Sequence, residues 1–201
     1  MTLPPSSRPA AHPGSRALIL RRVFDNGSTE FATFSQVDDG FLLTGTIVAV
    51  HESEPLEVKY RIECHPDWRT RLVWVEQRRG LEHSALVISQ DGQAKWSAQG
   101  AAIDSLNGCL EVDLELTPIT NTLPINRLKL GIGQRAEIVA AWIRFPSLEI
   151  VRAHQSYERL KAKIYRYRSL ASGFTADIEV DEDGLPIRYE GIWERIGESR
   201  T

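Results

Sequence analysis

The stretch GFLLTGTIVAVHESEPLEVKYRIEC, residues 40–64, decides the fold. Its first part, residues 40–50, is rich in Phe, Leu, Thr, Ile and Val, and most of these side chains favour strands. Its last part, residues 57–64, alternates apolar and charged side chains. Because side chains on a strand point alternately to opposite faces, this alternation is typical of a strand with one buried face. The stretch therefore predicts two strands with a turn between them.

Similar short runs, broken by turn residues, continue along the chain. The Asp-Gly pair at residues 91–92 predicts a hairpin turn, since both residues tolerate positive φ. The sequence Asp-Glu-Asp-Gly at residues 181–184 predicts another turn. The further predicted strands are residues 67–77, 81–89, 95–97, 110–117, 127–131, 137–145, 174–180 and 185–189. This succession predicts a mostly β protein.

The strand predicted at residues 67–77 carries both tryptophans and arginines. Alternation predicts one face with Trp68, Leu72 and Trp74, and the other with Arg69, Arg71, Val73 and Val75.

Helical signals are weak. The best amphipathic candidate is residues 99–106, and a second, residues 156–162, lies between strand-like segments. The segment at residues 1–16 is rich in Pro, Ser and Ala, so we expect a flexible N-terminal extension there. Residues 17–201 are then expected to form a single domain. A long antiparallel sheet with one apolar face must curl, pair with another layer or close, and curling creates a concave surface suited to a ligand.

Composition excludes several classes of protein. Of 201 residues, 42% are hydrophobic and 25% charged, which is typical of a globular protein. A formal net charge of -3 removes the simplest electrostatic argument for nucleic-acid binding. No apolar run reaches the ~20 residues of a transmembrane helix, and the N-terminus lacks the apolar segment of a secretory signal. We therefore expect a soluble, cytoplasmic protein.

The two cysteines, Cys64 and Cys109, form no CxxC pair, so a zinc site is unsupported. They are either two buried free thiols or one disulfide. None of the five histidines has a metal-binding spacing, and no hydrolase elbow, P-loop or dinucleotide motif is present. The neighbours Cys64 and His65 would face opposite ways on a strand. No catalytic residue, metal or cofactor is predicted, although a pair of carboxylates acting on a glycoside stays open.

Three groups of residues are candidates for a ligand site. The segment TPITNTLP, residues 117–124, holds Thr120, Asn121 and Thr122 between two prolines. These side chains could form a polar rim for a sugar or headgroup, or could satisfy the backbone of a rigid hairpin loop.

The second group is Trp68, Arg69 and Arg71, followed by Trp74. Arginine suits carboxylate or phosphate, so the two arginines could hold an anionic headgroup. Alternatively they pair with an acidic strip formed by Glu111, Asp113 and Glu115.

The third group is Tyr165, Arg166, Tyr167 and Arg168, again alternating by face. The tyrosines could stack on a sugar or simply pack. For the same reason the tryptophans Trp96, Trp142 and Trp193 are expected in the core unless a ligand site is formed around them.

Several motifs resemble one known family. They are residues 64–71 (CHPDWRTR), 106–114 (LNGCLEVDL), 117–124 (TPITNTLP), 141–146 (AWIRFP), 155–157 (QSY) and 183–185 (DGL), with Tyr189 after them. In this order they resemble a family of bacterial proteins named for proposed glycolipid binding, over most of the chain after residue 17. Two positions depart from its pattern: Asn126 stands where a basic residue often precedes Arg127, and Glu111 where Asp is usual.

The resemblance implies a single curled antiparallel sheet, a spiral β-roll or half-barrel with few short helices, related in shape to periplasmic lipoprotein carriers. It also implies that the partner is a glycolipid or another amphipathic small molecule.

The leading hypothesis is a non-enzymatic carrier or sensor of such a ligand. The residues expected to meet the headgroup are Arg69, Arg71, Thr120, Asn121, Thr122, Arg127 and Arg144, and Asp113 is a further ligand-binding candidate. Those expected to line the apolar part are Trp68, Trp142, Tyr165 and Tyr167. The alternatives are a hydrolase using Asp113 or Glu111 beside an arginine, and a protein-interaction module that receives a peptide on the concave face. The oligomeric state is left open.

Overall fold

A computed structural model describes residues 14–24 and 27–200. Most of the predicted N-terminal extension lies outside these residues, and Arg16 already begins the first strand. The fifteen strands are β1 (Arg16–Arg22), β2 (Ser28–Val37), β3 (Gly40–His51), β4 (Glu54–Cys64), β5 (Thr70–Arg79), β6 (Glu82–Gln90), β7 (Trp96–Ala98), β8 (Ala101–Ala102), β9 (Val112–Leu114), β10 (Arg135–Ile143), β11 (Ile150–Lys161), β12 (Ile164–Ser169), β13 (Thr175–Val180), β14 (Pro186–Tyr189) and β15 (Trp193–Arg200). One α-helix, α1 (Thr122–Leu128), and two short 3₁₀ turns, Asp104–Leu106 and Ile119–Asn121, complete the described fold.

All fifteen strands belong to one sheet, which confirms the prediction of a mostly β protein built on a curled sheet. β1 pairs with both β2 and β15, so the first and last strands meet in the middle of the sheet. One half runs outward from β1 to β8 and the other from β15 to β9, and the sheet is not closed into a barrel. Every neighbouring pair is antiparallel except β9 and β10, which are parallel.

The sheet curls until its two halves meet. The backbone N–H of Thr70, on β5, donates to the carbonyl of Leu110, before β9, at 3.0 Å. The Thr70 hydroxyl in turn accepts from the N–H of Val112. The largest apolar cluster accordingly joins Val73 and Val75 of the first half to Ile143 of the second. Burial of each such side chain stabilises the fold by about 1.5–3 kcal/mol.

The predicted faces of β5 hold for Leu72 and Trp74 against Val73 and Val75, but a bulge moves Arg71 off the face predicted for it. Cys64 on β4 lies opposite Thr70, whereas the preceding Glu63 lies opposite Leu72, so Arg71 is the extra residue. A bulge shifts the alternation by one residue. Val73 and Val75 are buried in the core, whereas Arg71 turns to the outer face, where it binds Glu63 at 3.0 Å.

The segment after β9 also differs from its prediction. Residues 110–117 contain only the three-residue strand β9, and the predicted strand at residues 127–131 is absent because Arg127 lies in α1. Pro124 is the third residue of α1, a position whose N–H has no partner within a helix, so proline is tolerated there. Lys129 ends the helix in the left-handed region, with φ 47°.

Smaller expectations are also corrected. Of the helix predicted at residues 99–106, only Asp104–Leu106 forms a 3₁₀ turn, and nearly all of residues 156–162 lies in β11. The turn after β6 does not use positive φ at Gly92. Instead Ala94 has φ 60°, and the Asp91 carboxylate accepts from the N–H groups of Gln93 and Lys95.

Candidate functional site

A cavity of about 490 Å³ opens in the second half of the sheet. Its volume lies within the ~300–1,000 Å³ of small-molecule sites. Among the residues that line it are Arg22, Phe24, Asp113, Glu115, Thr117, Asn121, Trp142, Arg152, His154, Gln155, Tyr167, Phe174, Tyr189 and Trp193. Asn121, Gln155 and Tyr189 are buried and form the floor, whereas Phe24 and Phe174 are exposed and form the rim.

The carboxylate of Asp113 is the central polar group. Its Oδ1 accepts from the Thr120 hydroxyl at 3.0 Å, and its Oδ2 accepts from Gln155 Nε2 at 2.7 Å. Burial raises the pKa of the Asp113 carboxyl, although these two hydrogen bonds oppose the shift. Since each carboxylate oxygen can accept more than one hydrogen bond, Asp113 can also accept from a ligand hydroxyl.

Asn121 and Tyr157 support this floor from below. The Tyr157 hydroxyl donates to Asn121 Oδ1 at 2.8 Å, and Asn121 Nδ2 donates to the carbonyl of Pro118 at 2.8 Å. Thr120 and Thr122 are buried, so the polar side chains of residues 117–124 point inward and do not form an exposed rim. Of these side chains, Thr120 is the one that bonds to the Asp113 carboxylate, whereas Asn121 bonds to Pro118 and Tyr157.

Aromatic rings form the walls. Tyr167 meets Tyr157 and Tyr189 edge to face, with ring centroids 5.5 and 6.1 Å apart, and Tyr189 stacks on Trp193 at 5.4 Å. The hydroxyls of Tyr167 and Tyr189 make no hydrogen bond to any residue that the structure describes. Burial raises the pKa of both tyrosines, and the negative charge of Asp113 raises it further. Both hydroxyls therefore stay protonated and free to bond to a ligand.

A second buried carboxyl lies behind the cavity wall. Glu30, on β2, accepts from the Tyr60 hydroxyl at 2.5 Å and from the hydroxyl of Thr117, a cavity residue, at 2.6 Å. Burial raises the pKa of Glu30 to about 7 against these two bonds. The Glu30 carboxyl therefore changes charge near neutral pH. Thr117 connects it to the cavity.

Four of the predicted ligand residues line this cavity: Asp113, Asn121, Trp142 and Tyr167. Thr120 lies directly behind Asp113. The structure also brings to it residues that sequence reasoning missed, chiefly Gln155, Tyr189 and Trp193, together with Arg22 and Arg152. Gln155 and Tyr189 belong to the motifs that resemble the family, and that resemblance was the signal that could have identified them.

The four predicted headgroup arginines lie outside the cavity lining, and each has an acidic partner. Their ion pairs are Arg69–Asp67, Arg71–Glu63, Arg127–Glu111 and Arg144–Glu149. Of the predicted acidic strip of Glu111, Asp113 and Glu115, only Glu111 forms one of these ion pairs. These ion pairs neutralise the positive charges that were expected to bind an anionic headgroup.

The other predicted residues also lie elsewhere. Trp68 stacks on Phe41 with ring centroids 3.8 Å apart, and Arg159 lies over the ring of Tyr165. Both Trp68 and Tyr165 line a separate depression beside α1. Thr122 is fully buried.

The acidic, histidine and cysteine side chains of the described residues were candidates for metal or thiol chemistry. Within residues 14–24 and 27–200, no three His, Cys, Asp or Glu side chains are placed to share a metal ion. Cys64 and Cys109 are free and buried, which confirms the first of the two alternatives, and burial raises the pKa of both thiols. No helix in the described part of the chain is long and apolar enough to cross a membrane.

Comparisons with known proteins agree with the fold and the motifs. The sequence matches the family described as "Putative glycolipid-binding" over residues 21–195. The structure is similar to the crystal structure of a DUF1089 family protein from Pseudomonas aeruginosa, with a TM-score of 0.77 and 32% sequence identity, covering 98% of this chain and 100% of that chain. A comparison with curated proteins gives no match. The family match spans most of the sequence, and the chain therefore belongs to this family.

Proposed function

We propose that the protein binds a glycolipid-like amphiphile in the 490 Å³ cavity, with the hydroxyl-rich end on the floor and the apolar chain leaving past the rim. The observation that carries this proposal is the Asp113 carboxylate, held by Thr120 and Gln155 beneath aromatic walls. Sugar hydroxyls are good donors to carboxylates, and the apolar face of a sugar stacks on aromatic rings.

The direction of the ligand follows from the distribution of polarity. The floor offers an acceptor in Asp113 and the phenols of Tyr167 and Tyr189, which have no hydrogen-bond partner among residues 14–24 and 27–200. At the rim, Phe24 is 59% exposed and Phe174 41% exposed. Exposed aromatic side chains beside a cavity are suited to an alkyl chain as it leaves.

Two detergents with the same alkyl chain test the proposal. We expect monomeric octyl β-glucoside to change the fluorescence of Trp142 and Trp193 saturably, and tetraethylene glycol monooctyl ether to bind more weakly. Asp113→Asn and Tyr167→Phe should each weaken glucoside binding about tenfold, the effect of one lost hydrogen bond in a buried site. Tyr165→Phe, a tyrosine outside this cavity, is the matched control.

Two results would contradict the proposal. One is the absence of saturable binding of any amphiphile, both in this titration and by native mass spectrometry of protein taken from cells. The other is an affinity for the glucoside that Asp113→Asn and Tyr167→Phe leave equal to that of the unaltered protein.

The hydrolase alternative keeps one supporting observation. Asp113 and Glu115 both line the cavity, and the charge of Glu115 raises the pKa of Asp113. Glu111, the other predicted acid, is buried against Arg127 and does not line it. Release of p-nitrophenol from p-nitrophenyl glycosides, abolished by Asp113→Asn, would favour catalysis over binding alone.

A further inference from the structure

Two of the three exposed phenylalanines in residues 14–24 and 27–200 lie at the opening of the cavity. Phe24 and Phe174 line it, with 59% and 41% of their surfaces exposed. The third, Phe31, is 52% exposed, but it lies within β2 and does not line the cavity. Large apolar side chains are unfavourable in water, so a group of them at an opening points to a surface that makes a contact.

Two short segments carry these phenylalanines. One is residues 22–24, at the end of β1, and the other is residues 169–174, which turn from β12 into β13. Their large exposed apolar side chains are Val23, Phe24, Leu170 and Phe174. These are four of the eleven such side chains in the described part of the chain, so exposed apolar surface is concentrated on the two mouth segments, residues 22–24 and 169–174.

Both mouth segments are anchored to the cavity lining. The backbone N–H of Val23 donates to the carbonyl of Ile192 at 2.7 Å, and that of Leu170 donates to the carbonyl of His154 at 2.8 Å. Ile192 and His154 both line the cavity. The backbone of each segment is therefore held at the opening.

Aromatic contacts run along one wall of the cavity from one segment to the other. The ring centroids of Phe174 and Tyr189 are 6.4 Å apart, and Tyr189 stacks on Trp193 at 5.4 Å. The guanidinium carbon of Arg22, two residues before Phe24, lies 5.3 Å from the ring centroid of Trp193. The two segments therefore border the same opening.

Charge at the mouth segments is low. Residues 169–174 read Ser-Leu-Ala-Ser-Gly-Phe, and Arg22 is the one charged residue of residues 22–24. Asp25, the next residue in the sequence, lies outside the described residues. Contact of the mouth segments with an apolar layer therefore buries one charged group at most, and a guanidinium suits the phosphate of a phospholipid headgroup.

We propose that the two mouth segments rest on a phospholipid bilayer, with Phe24 and Phe174 inserted among the acyl chains and the cavity opening facing them. This inference rests on the proposed function, which supplies the reason for the contact. An alkyl chain that passes directly between bilayer and cavity avoids water, whose contact has a free-energy cost for every methylene group. A protein seated on the same segments would instead cover the opening.

Sedimentation of the full chain with sucrose-loaded phosphatidylcholine vesicles tests the contact. We expect weak, reversible binding that salt changes little, because the contact is mainly apolar. Phe24→Ser and Phe174→Ser should each lower the partition coefficient about tenfold, the effect of removing one apolar side chain from the contact. Phe31→Ser, an equally exposed phenylalanine elsewhere on the sheet, is the matched control and should bind as the unaltered protein does.

Phosphatidylcholine with brominated acyl chains gives a second readout. Bromine quenches tryptophan fluorescence on contact, so the added tryptophan in Phe24→Trp and Phe174→Trp should be quenched by these vesicles. The tryptophan in Phe31→Trp should not be. Equal quenching of all three would contradict the orientation of the opening toward the bilayer.

The lipid contact and the ligand site can fail separately. Asp113→Asn should lose affinity for octyl β-glucoside and keep its affinity for vesicles. Glucoside binding without vesicle binding, or equal losses in the serine variants of Phe24, Phe174 and Phe31, would overturn the inference and leave the proposed function standing. Vesicle binding without amphiphile binding would support the lipid contact and overturn the proposed function. A dimer in light scattering that Phe24→Ser dissociates, together with no vesicle binding, would overturn the inference in favour of a second copy.

Discussion

The buried carboxyl of Glu30 should make the stability of the protein depend on pH in an unusual direction. Its side chain is shielded from solvent and bonded to Tyr60 and Thr117, and its pKa is raised from 4.5 to about 7. The folded state therefore holds a proton at pH values where the unfolded chain has lost it. The stability linked to this proton is fully present below pH 4.5 and is lost as pH rises through 7.

The magnitude follows from the shift in pKa. Each pKa unit corresponds to 1.36 kcal/mol, so a shift from 4.5 to about 7 changes the free energy of unfolding by about 3 kcal/mol. Glu30→Gln cannot ionise and keeps a side chain of nearly the same shape. Between pH 5 and pH 8, we expect the unaltered protein to lose about 2–3 kcal/mol relative to this variant.

Urea denaturation at a series of pH values measures this difference. Other groups titrate in both proteins, so the quantity of interest is the free energy of unfolding of one minus that of the other. Glu137→Gln, a glutamate with a 63% exposed side chain, should follow the unaltered protein at every pH. Parallel pH profiles for Glu30→Gln and the unaltered protein would refute the raised pKa and the reasoning that burial dominates at Glu30.

Two further substitutions test how the sheet is held together. Asp181→Asn should destabilise the protein by about 3 kcal/mol in urea denaturation, because Asp181 lies 2.7 and 2.8 Å from the buried guanidinium groups of Arg16 and Arg195. Gly45→Ala should cost about 1–3 kcal/mol by the same measurement, because a Cβ at Gly45 would lie 2.4 Å from the Tyr60 ring.

Each of these substitutions has a counterpart nearby. Asp183 also pairs with Arg16, but its side chain is 39% exposed, so Asp183→Asn should cost under about 1 kcal/mol. Gly197, on β15, would place a Cβ 3.7 Å from Ile19, an ordinary contact, and Gly197→Ala should be well tolerated. Equal losses within either pair would contradict the role assigned to burial or to the Tyr60 ring.

Strands were predictable because the evidence for them is local. Residues 57–64 and 174–180 alternate with period two, and the structure buries Val58, Ile62 and Ile178 as that period requires. The short helix α1 was missed because Thr, Asn and Pro give little helical signal, and the helix is stabilised by its burial against the rest of the fold.

The partners of charged side chains were not predictable in the same way. Arg71 meets Glu63 only because the bulge turns it outward, and the sequence carries no local mark of that bulge. The cavity is a still longer-range feature. Trp142, Tyr167 and Tyr189 come from three strands that meet around one space only once the sheet has curled. Asp113 could be identified from the sequence as a candidate ligand residue. The residues around it could not, because they come together only when the sheet curls.

Phenylalanine substitutions at Tyr157, Tyr167 and Tyr189 can distinguish hydroxyls that stabilise the fold from hydroxyls that bind a ligand. Tyr157 donates to Asn121, so Tyr157→Phe should lower the free energy of unfolding by about 1 kcal/mol. The hydroxyls of Tyr167 and Tyr189 have no partner in the described residues, so their removal should cost little or even stabilise the fold. If Tyr167→Phe keeps full stability and loses affinity for an amphiphile, the Tyr167 hydroxyl contributes to ligand binding and not to the fold. If it instead destabilises the protein as much as Tyr157→Phe, the hydroxyl serves the fold, and the argument for a ligand at the cavity floor is reduced to Asp113.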